Sequence, residues 1–323
     1  MISTFLSALP GAVAQGLIWG IMAIGVYITY KVLNMADLTV DGTMCTGGAV
    51  CVMMLTSGKP MWLALLAATG AGLLAGLMTG LFHTLMGIPD ILAGILSQLG
   101  LYSINLKIML DKANQSINFR NYHLLVSLQN VKDAPVSVAK DTNGTYLIFN
   151  PIFITAIMII ILIAVLYWFF GTELGCSLRA TGANQNMSRA QGINTKFNVV
   201  LGLMISNGIV AFSSALLTQY QGFADINMGR GAIVIGLASV IIGGVLFDRI
   251  FHNFALKLVG VAIGGIIYYV VLQLVITLGL DTNLLKLLSA LVVAVFLAIP
   301  YWKGRFFNKP AKAKPEPAMK EVK

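Results

Sequence analysis

Long apolar runs separated by short polar ones dominate this chain. A membrane-spanning helix needs roughly 20 apolar residues, and fewer where the helix is broken inside the protein. On this basis the sequence predicts nine spans, at 11–30, 43–57, 61–86, 91–110, 151–171, 198–219, 232–247, 256–279 and 284–302. The pattern is therefore typical of an all-α polytopic membrane protein.

Two of these segments, 43–57 and 232–247, are shorter than the others, and each follows a polar stretch that contains Asp and Gly. The polar stretches begin alike, with ADLTV at 36–40 and ADINM at 224–228. Short, interrupted segments in corresponding places of two halves indicate a transport site between inverted repeats. We therefore predict two broken segments in an inverted repeat, although a similarity over five residues also arises by chance.

Composition and charge support a membrane protein and set its orientation. The 323 residues are 58% hydrophobic and 10% charged, whereas soluble domains carry about 25% charged residues. The net charge of +9 comes substantially from the end of the chain. We predict a transmembrane domain over 1–303 and a basic, disordered tail over 304–323. Because these basic residues follow a span directly, they indicate a cytoplasmic C-terminus rather than nucleic-acid binding.

The polar stretch between 172 and 197 is also basic, so it is predicted on the cytoplasmic side, with 111–150 outside. Asn184 is a suitable N-cap and Gly192 a suitable end for a short helix over 183–191, with Gly182 and Gly192 as its brackets. Such a helix along the membrane surface would present Asn186 and Arg189 outward. Both interpretations stay open here: a docking surface for a soluble partner, or an ordinary solvated loop.

Polar side chains inside apolar segments are candidates for a solute path, because an ionisable group in a membrane costs several kcal/mol. Asp37 and Asp41 have a second interpretation as caps of the helix that follows, with Asp37 in a structural hydrogen bond. The amides within the spans either line the path or tie helices together. The candidate path residues are Asp37, Thr39, Asp41, Gln98, Asn207, Gln219 and Asn227.

A family resemblance favours the docking interpretation. The runs GCSLRATGAN at 175–184 and AQGIN at 190–194 resemble the cytoplasmic coupling loop of permease subunits in bacterial ABC importers. The subgroup is the one for branched-chain amino acids, ribose-type sugars and nucleosides. DLTVDG at 37–42 and the run 231–244 resemble its two broken segments, but Asp41 and Asn227 depart from the sugar-type pattern. The overall resemblance is strongest to permeases for tryptophan and tyrosine.

The resemblance implies a homodimeric permease in the bacterial inner membrane, served by separate ATPase subunits and an extracytoplasmic substrate-binding lipoprotein. Its solute would be small, an amino acid and specifically an aromatic one. The residues implied in ATPase coupling are Glu173, Arg179, Gly182, Asn184, Arg189 and Gly192.

The sequence contains no catalytic constellation, metal-ligand spacing or Gly-rich nucleotide loop, which predicts a transport subunit rather than an enzyme. ATP and Mg²⁺ would then belong to a partner chain, with no cofactor in this one. The alternative is an ion-coupled secondary transporter, whose membrane Asp residues would bind Na⁺ or H⁺. The basic loop at 172–197 counts against that alternative, because such a transporter needs no ATPase dock.

Overall fold

A computed structural model describes residues 2–117, 124–126, 151–247, 250–251 and 253–278, with seven further positions between 287 and 298. The predicted tail over 304–323 and most of the predicted outer region 111–150 lie outside the described residues. So does most of the predicted ninth span at 284–302. The prediction of nine spans therefore stays a prediction.

The described chain forms ten α-helices, one π-helix and two short strands. In chain order they are α1 (Ile2–Tyr27), the π-helix (Ile28–Val32), α2 (Thr39–Thr56), α3 (Met61–Thr84), α4 (Asp90–Ile108), β1 (Asn114–Ser116), α5 (Pro151–Gly171), α6 (Glu173–Ala183), α7 (Gln185–Ala190), α8 (Thr195–Gln221), β2 (Phe223–Asp225), α9 (Ala232–Phe247) and α10 (Phe254–Thr277).

Six helical stretches within the described residues are long and apolar enough to cross a membrane: Thr4–Val32, Met61–Thr84, Asp90–Ile108, Pro151–Gly171, Thr195–Gln221 and Phe254–Thr277. The prediction of an all-α polytopic protein is confirmed at this level. The two predicted short segments are also helices, α2 with 18 residues and α9 with 16. Helix α2 begins at Thr39, four residues before the predicted start at 43, so that Asp41 falls inside it.

Two strands form where only helices and loops were predicted. Strand β1 pairs antiparallel with β2, with Asn114 opposite Asp225. The pairing extends beyond the strands, because Ile117 N–H donates to Gly222 O at 2.7 Å and Ile226 N–H donates to Ala113 O at 2.9 Å. Backbone groups that leave a helix need new partners. The pairing places the ends of α4 and α8 on the same side of the bundle.

The core is built on close contacts between helix backbones. Glycines at 72, 76 and 80 repeat every four residues along α3, and this stripe faces α8. A Cβ atom added to Gly76 would lie 2.8 Å from the Cα of Met204, and one added to Gly80 would lie 3.0 Å from the Cα of Val200. Small residues at this spacing let helices approach closely in lipid. The stripe therefore packs inside the molecule.

Candidate functional site

Two short helices, α6 and α7, join the long helices α5 and α8 at one end of the bundle. Asn184 is the N-cap of α7, and its side chain accepts hydrogen bonds from the N–H groups of Asn186 at 3.0 Å and Met187 at 3.1 Å. Gly192 follows α7 with φ +80°, a left-handed conformation that glycine adopts without strain. The predicted roles of Asn184 and Gly192 in bounding a short helix are confirmed.

The predicted bracketing role of Gly182 is wrong. Gly182 lies in the last turn of α6, and the short helix is Gln185–Ala190 rather than 183–191. A Cβ atom at Gly182 would overlap the carbonyl of Val32 and lie 2.9 Å from the Cα of Leu33. Glycine is needed here because α6 presses against the end of the π-helix, not because the chain turns.

Arg179 connects α6 to the bundle. Its guanidinium donates to Phe170 O at 2.9 Å and lies 5.9 Å from the centroid of the Phe254 ring. These contacts join α5, α6 and α10. Glu173 is the first residue of α6 and is exposed, and a carboxylate at that position complements the helix dipole. Arg179 thus holds α6 in place, whereas Glu173 faces outward.

The part of this region that is free to meet another molecule is the loop surface, which we define as residues 184–192. Asn186 and Arg189 are exposed, as predicted, and Met187 is 59% exposed. The Nε–H of Arg189 donates to the Thr195 hydroxyl at 2.9 Å, which fixes the side chain against the start of α8. The loop surface therefore combines an oriented cation with an exposed apolar side chain.

A polar cluster at the start of α2 connects it to α8. Asp37 is 4% exposed, and its carboxylate accepts from Thr39 N–H at 2.9 Å and from Asn207 Nδ2 at 2.7 Å. The Thr43 hydroxyl donates to Asn207 Oδ1 at 2.7 Å. Since these polar groups satisfy one another, the structure places Asp37 and Asn207 as ties between helices.

Two other predicted path residues also have partners inside the bundle. The Thr39 hydroxyl lies 2.7 Å from the Thr79 hydroxyl, which donates to Ser97 at 2.8 Å and so connects α2, α3 and α4. Gln219 is fully buried, and its Oε1 accepts from Leu125 N–H at 3.0 Å. Thr39 therefore belongs to the polar ties that hold the bundle together, whereas Gln219 holds residues 124–126 against the end of α8.

Asp41 does cap a helix, but not its own. It lies in the first turn of α2, and its carboxylate accepts from the N–H groups of Gly231 at 3.0 Å and Ile233 at 2.9 Å. These are among the N–H groups at the start of α9, which have no partner within that helix. A residue of the first short segment therefore caps the second one.

A cavity of about 240 Å³ opens beside this cap. Of the seven predicted path residues, it brings together Asp41 and Gln98. Asn227 is exposed in the turn before α9, where its N–H donates to the Asp225 carboxylate at 2.7 Å. The polar residues that line the cavity are Asp41, Cys45, Gln98, Tyr102, Asn105 and Arg230.

Four of these polar residues were not among the seven predicted path residues: Cys45, Tyr102, Asn105 and Arg230. Gln98, Tyr102 and Asn105 are spaced i, i+4 and i+7, which places all three on one face of α4. That spacing is a signal in the sequence that could have identified Tyr102. Arg230 comes two residues before α9, so only the approach of α9 to α2 brings it to the cavity.

The long apolar helices define a polytopic α-helical membrane protein. Residues 9–299 match the family described as branched-chain amino acid transport system / permease component. The chain belongs to this family.

Related proteins cover most of its length. The tyrosine transport system permease protein of Clostridioides difficile (strain R20291) is 37% identical over 91% of this chain and 91% of its own. The fructose import permease protein FruF of Bifidobacterium longum (strain NCC 2705) is 25% identical over 88% of this chain and 74% of its own. The solved structure of PsaBC from Streptococcus pneumoniae in complex with Fab shares the fold, with a TM-score of 0.51 at 14% identity, over 95% of this chain and 99% of that one.

Proposed function

We propose that this chain is the membrane permease of an ATP-driven importer and that the loop surface docks a separate ATPase subunit. The observation that carries the proposal is the construction of residues 173–192. Two capped helices stand outside the spans. They are tied to α5 and α10 through Arg179 and to α8 through Arg189, and they present Met187 and Arg189 to solvent. A rigid connection of this kind transmits motion between a soluble partner and the bundle.

The substrate we propose is an amino acid with an aromatic side chain. The relative at 37% identity is named a tyrosine transport system permease protein. The similarity extends over 91% of this chain and 91% of the relative. An extracytoplasmic binding protein would deliver the solute to the side that carries β1 and β2. ATP and Mg²⁺ would bind to the ATPase partner, and two copies of this chain would form the pore.

Helices α2 and α9 support the proposed inverted repeat. Helix α2 leaves the end of α1 that contacts α6, whereas α9 follows the β1–β2 pair at the other end of the bundle. They therefore enter from opposite sides, as an inverted repeat requires. In this arrangement the loop surface and the C-terminus lie in the cytoplasm, and residues 1–303 form the permease domain.

Co-purification of the tagged full chain from its native membranes tests the docking proposal. The test variant is Arg189→Glu, and the matched control is Lys59→Glu, the same charge reversal at an exposed position in the α2–α3 turn. We expect the test variant to recover about tenfold less ATPase subunit than the wild type, a loss of about 1.4 kcal/mol, since a partner that complements the Arg189 cation would meet a reversed charge. The control should recover the wild-type amount.

Equal recovery with both variants would place the dock elsewhere. Recovery of the chain alone, together with solute uptake that follows an ion gradient, would favour the ion-coupled secondary transporter instead. The buried Asp37 carboxylate is the observation on which that alternative depends, and its two hydrogen bonds within the protein count against an ion site.

A further inference from the structure

We infer that the 240 Å³ cavity between α2, α4 and the start of α9 is a binding site for a zwitterionic amino acid, with Arg230 as the partner of its carboxylate. The choice of an aromatic amino acid as solute rests on the proposed function, whereas the cavity and its polar groups carry the site itself.

The cavity holds opposite charges that do not neutralise each other. Asp41 and Arg230 both line it, yet the one ion pair within the described residues joins Lys107 and Asp111. No described residue forms an ion pair or accepts a hydrogen bond from the Arg230 guanidinium. A guanidinium matches a carboxylate geometrically and is the side chain best suited to bind one. Arg230 is therefore available for the carboxylate of a solute.

Asn105 supplies a second free group. It is fully buried, and its Nδ2 donates to Gly42 O at 3.4 Å, but its Oδ1 accepts from no described residue. Buried polar atoms in native proteins nearly always have a partner, so one that lacks it at a cavity wall points to a ligand. Because Oδ1 is an acceptor, the missing partner is a donor such as an ammonium group.

The rest of the wall suits a side chain with a ring. Tyr102 and Leu99 line the cavity together with Gln98. Tyr102 offers an aromatic face and a hydroxyl, and Gln98 offers an amide that both donates and accepts. Asp41 adds negative charge near the ammonium group while its oxygens bind the N-terminus of α9. The carboxylate, the ammonium group and the ring of an aromatic amino acid would therefore each have a complementary side chain in this one cavity.

Protection of an introduced cysteine tests this site without the ATPase. Leu99→Cys is placed in the full chain with Cys176→Ser, which removes the exposed thiol, and the Cys176→Ser parent serves as the blank. A hydrophilic maleimide then labels Cys at 99 in proteoliposomes of the purified chain, with and without L-tyrosine. We expect L-tyrosine to slow labelling by about threefold at a concentration of twice its Kd, from the factor 1 + [L]/Kd.

Three further ligands separate the parts of the site. Tyramine lacks the carboxylate, 3-(4-hydroxyphenyl)propionate lacks the ammonium group, and D-fructose has neither. None of the three should protect at the concentration at which L-tyrosine does. Arg230→Gln should abolish protection by L-tyrosine, whereas the matched Lys112→Gln, an exposed cation outside the cavity, should retain it.

Protection by tyramine equal to that by L-tyrosine would overturn the role of Arg230. Protection by D-fructose but not by L-tyrosine, or no protection by any ligand, would overturn the amino-acid site. These results do not depend on ATPase docking, because no ATPase is present. Failure of the co-purification experiment would therefore leave this assignment intact, and the reverse also holds.

Discussion

Asp41 is the residue whose hydrogen-bond partners explain most about how α2 and α9 are arranged. Its carboxylate satisfies two N–H groups at the start of α9, which lies 190 residues further along the chain. Gly229 makes the approach possible, because a side chain there would overlap the Asp41 carbonyl. The two polar stretches therefore meet in the bundle, and each depends on the other for hydrogen bonds.

The substitution Asp41→Asn should lower the free energy of unfolding by about 1 kcal/mol, since an NH₂ donor replaces one of the two oxygens that accept from Gly231 and Ile233, and the charge at the helix N-terminus is lost. The same change at Asp111, which is in an exposed ion pair with Lys107, should alter stability by less than about 0.5 kcal/mol. Thermal unfolding of the purified chain in detergent measures both. Equal shifts for the two variants would remove the capping role of Asp41.

Asn207 has a larger predicted effect. Asn207→Ala removes the donor to Asp37 and the acceptor for Thr43, and it leaves a buried carboxylate oxygen with one partner fewer. We expect a loss of about 2–3 kcal/mol, because an unsatisfied buried polar group costs its full desolvation. Asn227→Ala, at an exposed position, is the control and should change stability by less than about 0.5 kcal/mol. A small loss at Asn207 would show that water replaces the amide.

At the scale of the element, α3 carries two kinds of glycine. Gly76 faces the backbone of α8, where a Cβ atom would lie 2.8 Å from the Cα of Met204, whereas nothing lies within 4 Å of a Cβ atom at Gly70. The same residue type on one helix thus has a packing role at one position and none at the other.

Gly76→Ala should therefore destabilise the protein by about 1–3 kcal/mol, through forced separation of α3 and α8. Gly70→Ala should leave it unchanged or stabilise it by up to about 1 kcal/mol, through higher helix propensity. Unfolding midpoints of the two variants in the same detergent give the comparison. A stabilising effect at Gly76 would contradict the close contact described above.

At the scale of the whole molecule, the chain carries its own reporter of orientation. Cys176 on α6 is exposed, while Cys45 and Cys51 are buried. If α6 and α7 face the cytoplasm, a membrane-impermeant maleimide should label Cys176 in inside-out vesicles and not in intact cells. Labelling in intact cells would reverse the predicted orientation, including the cytoplasmic C-terminus.

Lys59→Cys in the Cys176→Ser chain provides the control for reagent access. Lys59 lies in the exposed turn at the opposite end of α2 from Asp41, so it should label in intact cells. The two positions together distinguish a reversed orientation from a reagent that fails to reach either side.

Local features of this molecule followed from local sequence. The cap of α7 at Asn184, the end of that helix at Gly192 and the short length of α9 were predicted, because caps, turns and hydropathy depend on neighbouring residues. Helix α2 is longer than predicted, since it begins at Thr39 rather than at 43. The role of Gly182 was predicted wrongly, since its reason is contact with Val32 and Leu33 rather than a turn. A glycine inside a helix looks the same in sequence whichever surface it meets.

The sequence by itself determined that this is a helical membrane protein. It also determined that two of its apolar segments each follow a polar stretch and that the connection at 172–197 is basic. Only the tertiary structure decided that Asp41 caps α9, that β1 pairs with β2, and that Gln98, Asn105 and Arg230 share one cavity. The physical reason is distance along the chain. Hydropathy and capping act within a turn or two of helix, whereas these contacts join residues far apart in sequence and depend on which helix faces pack together.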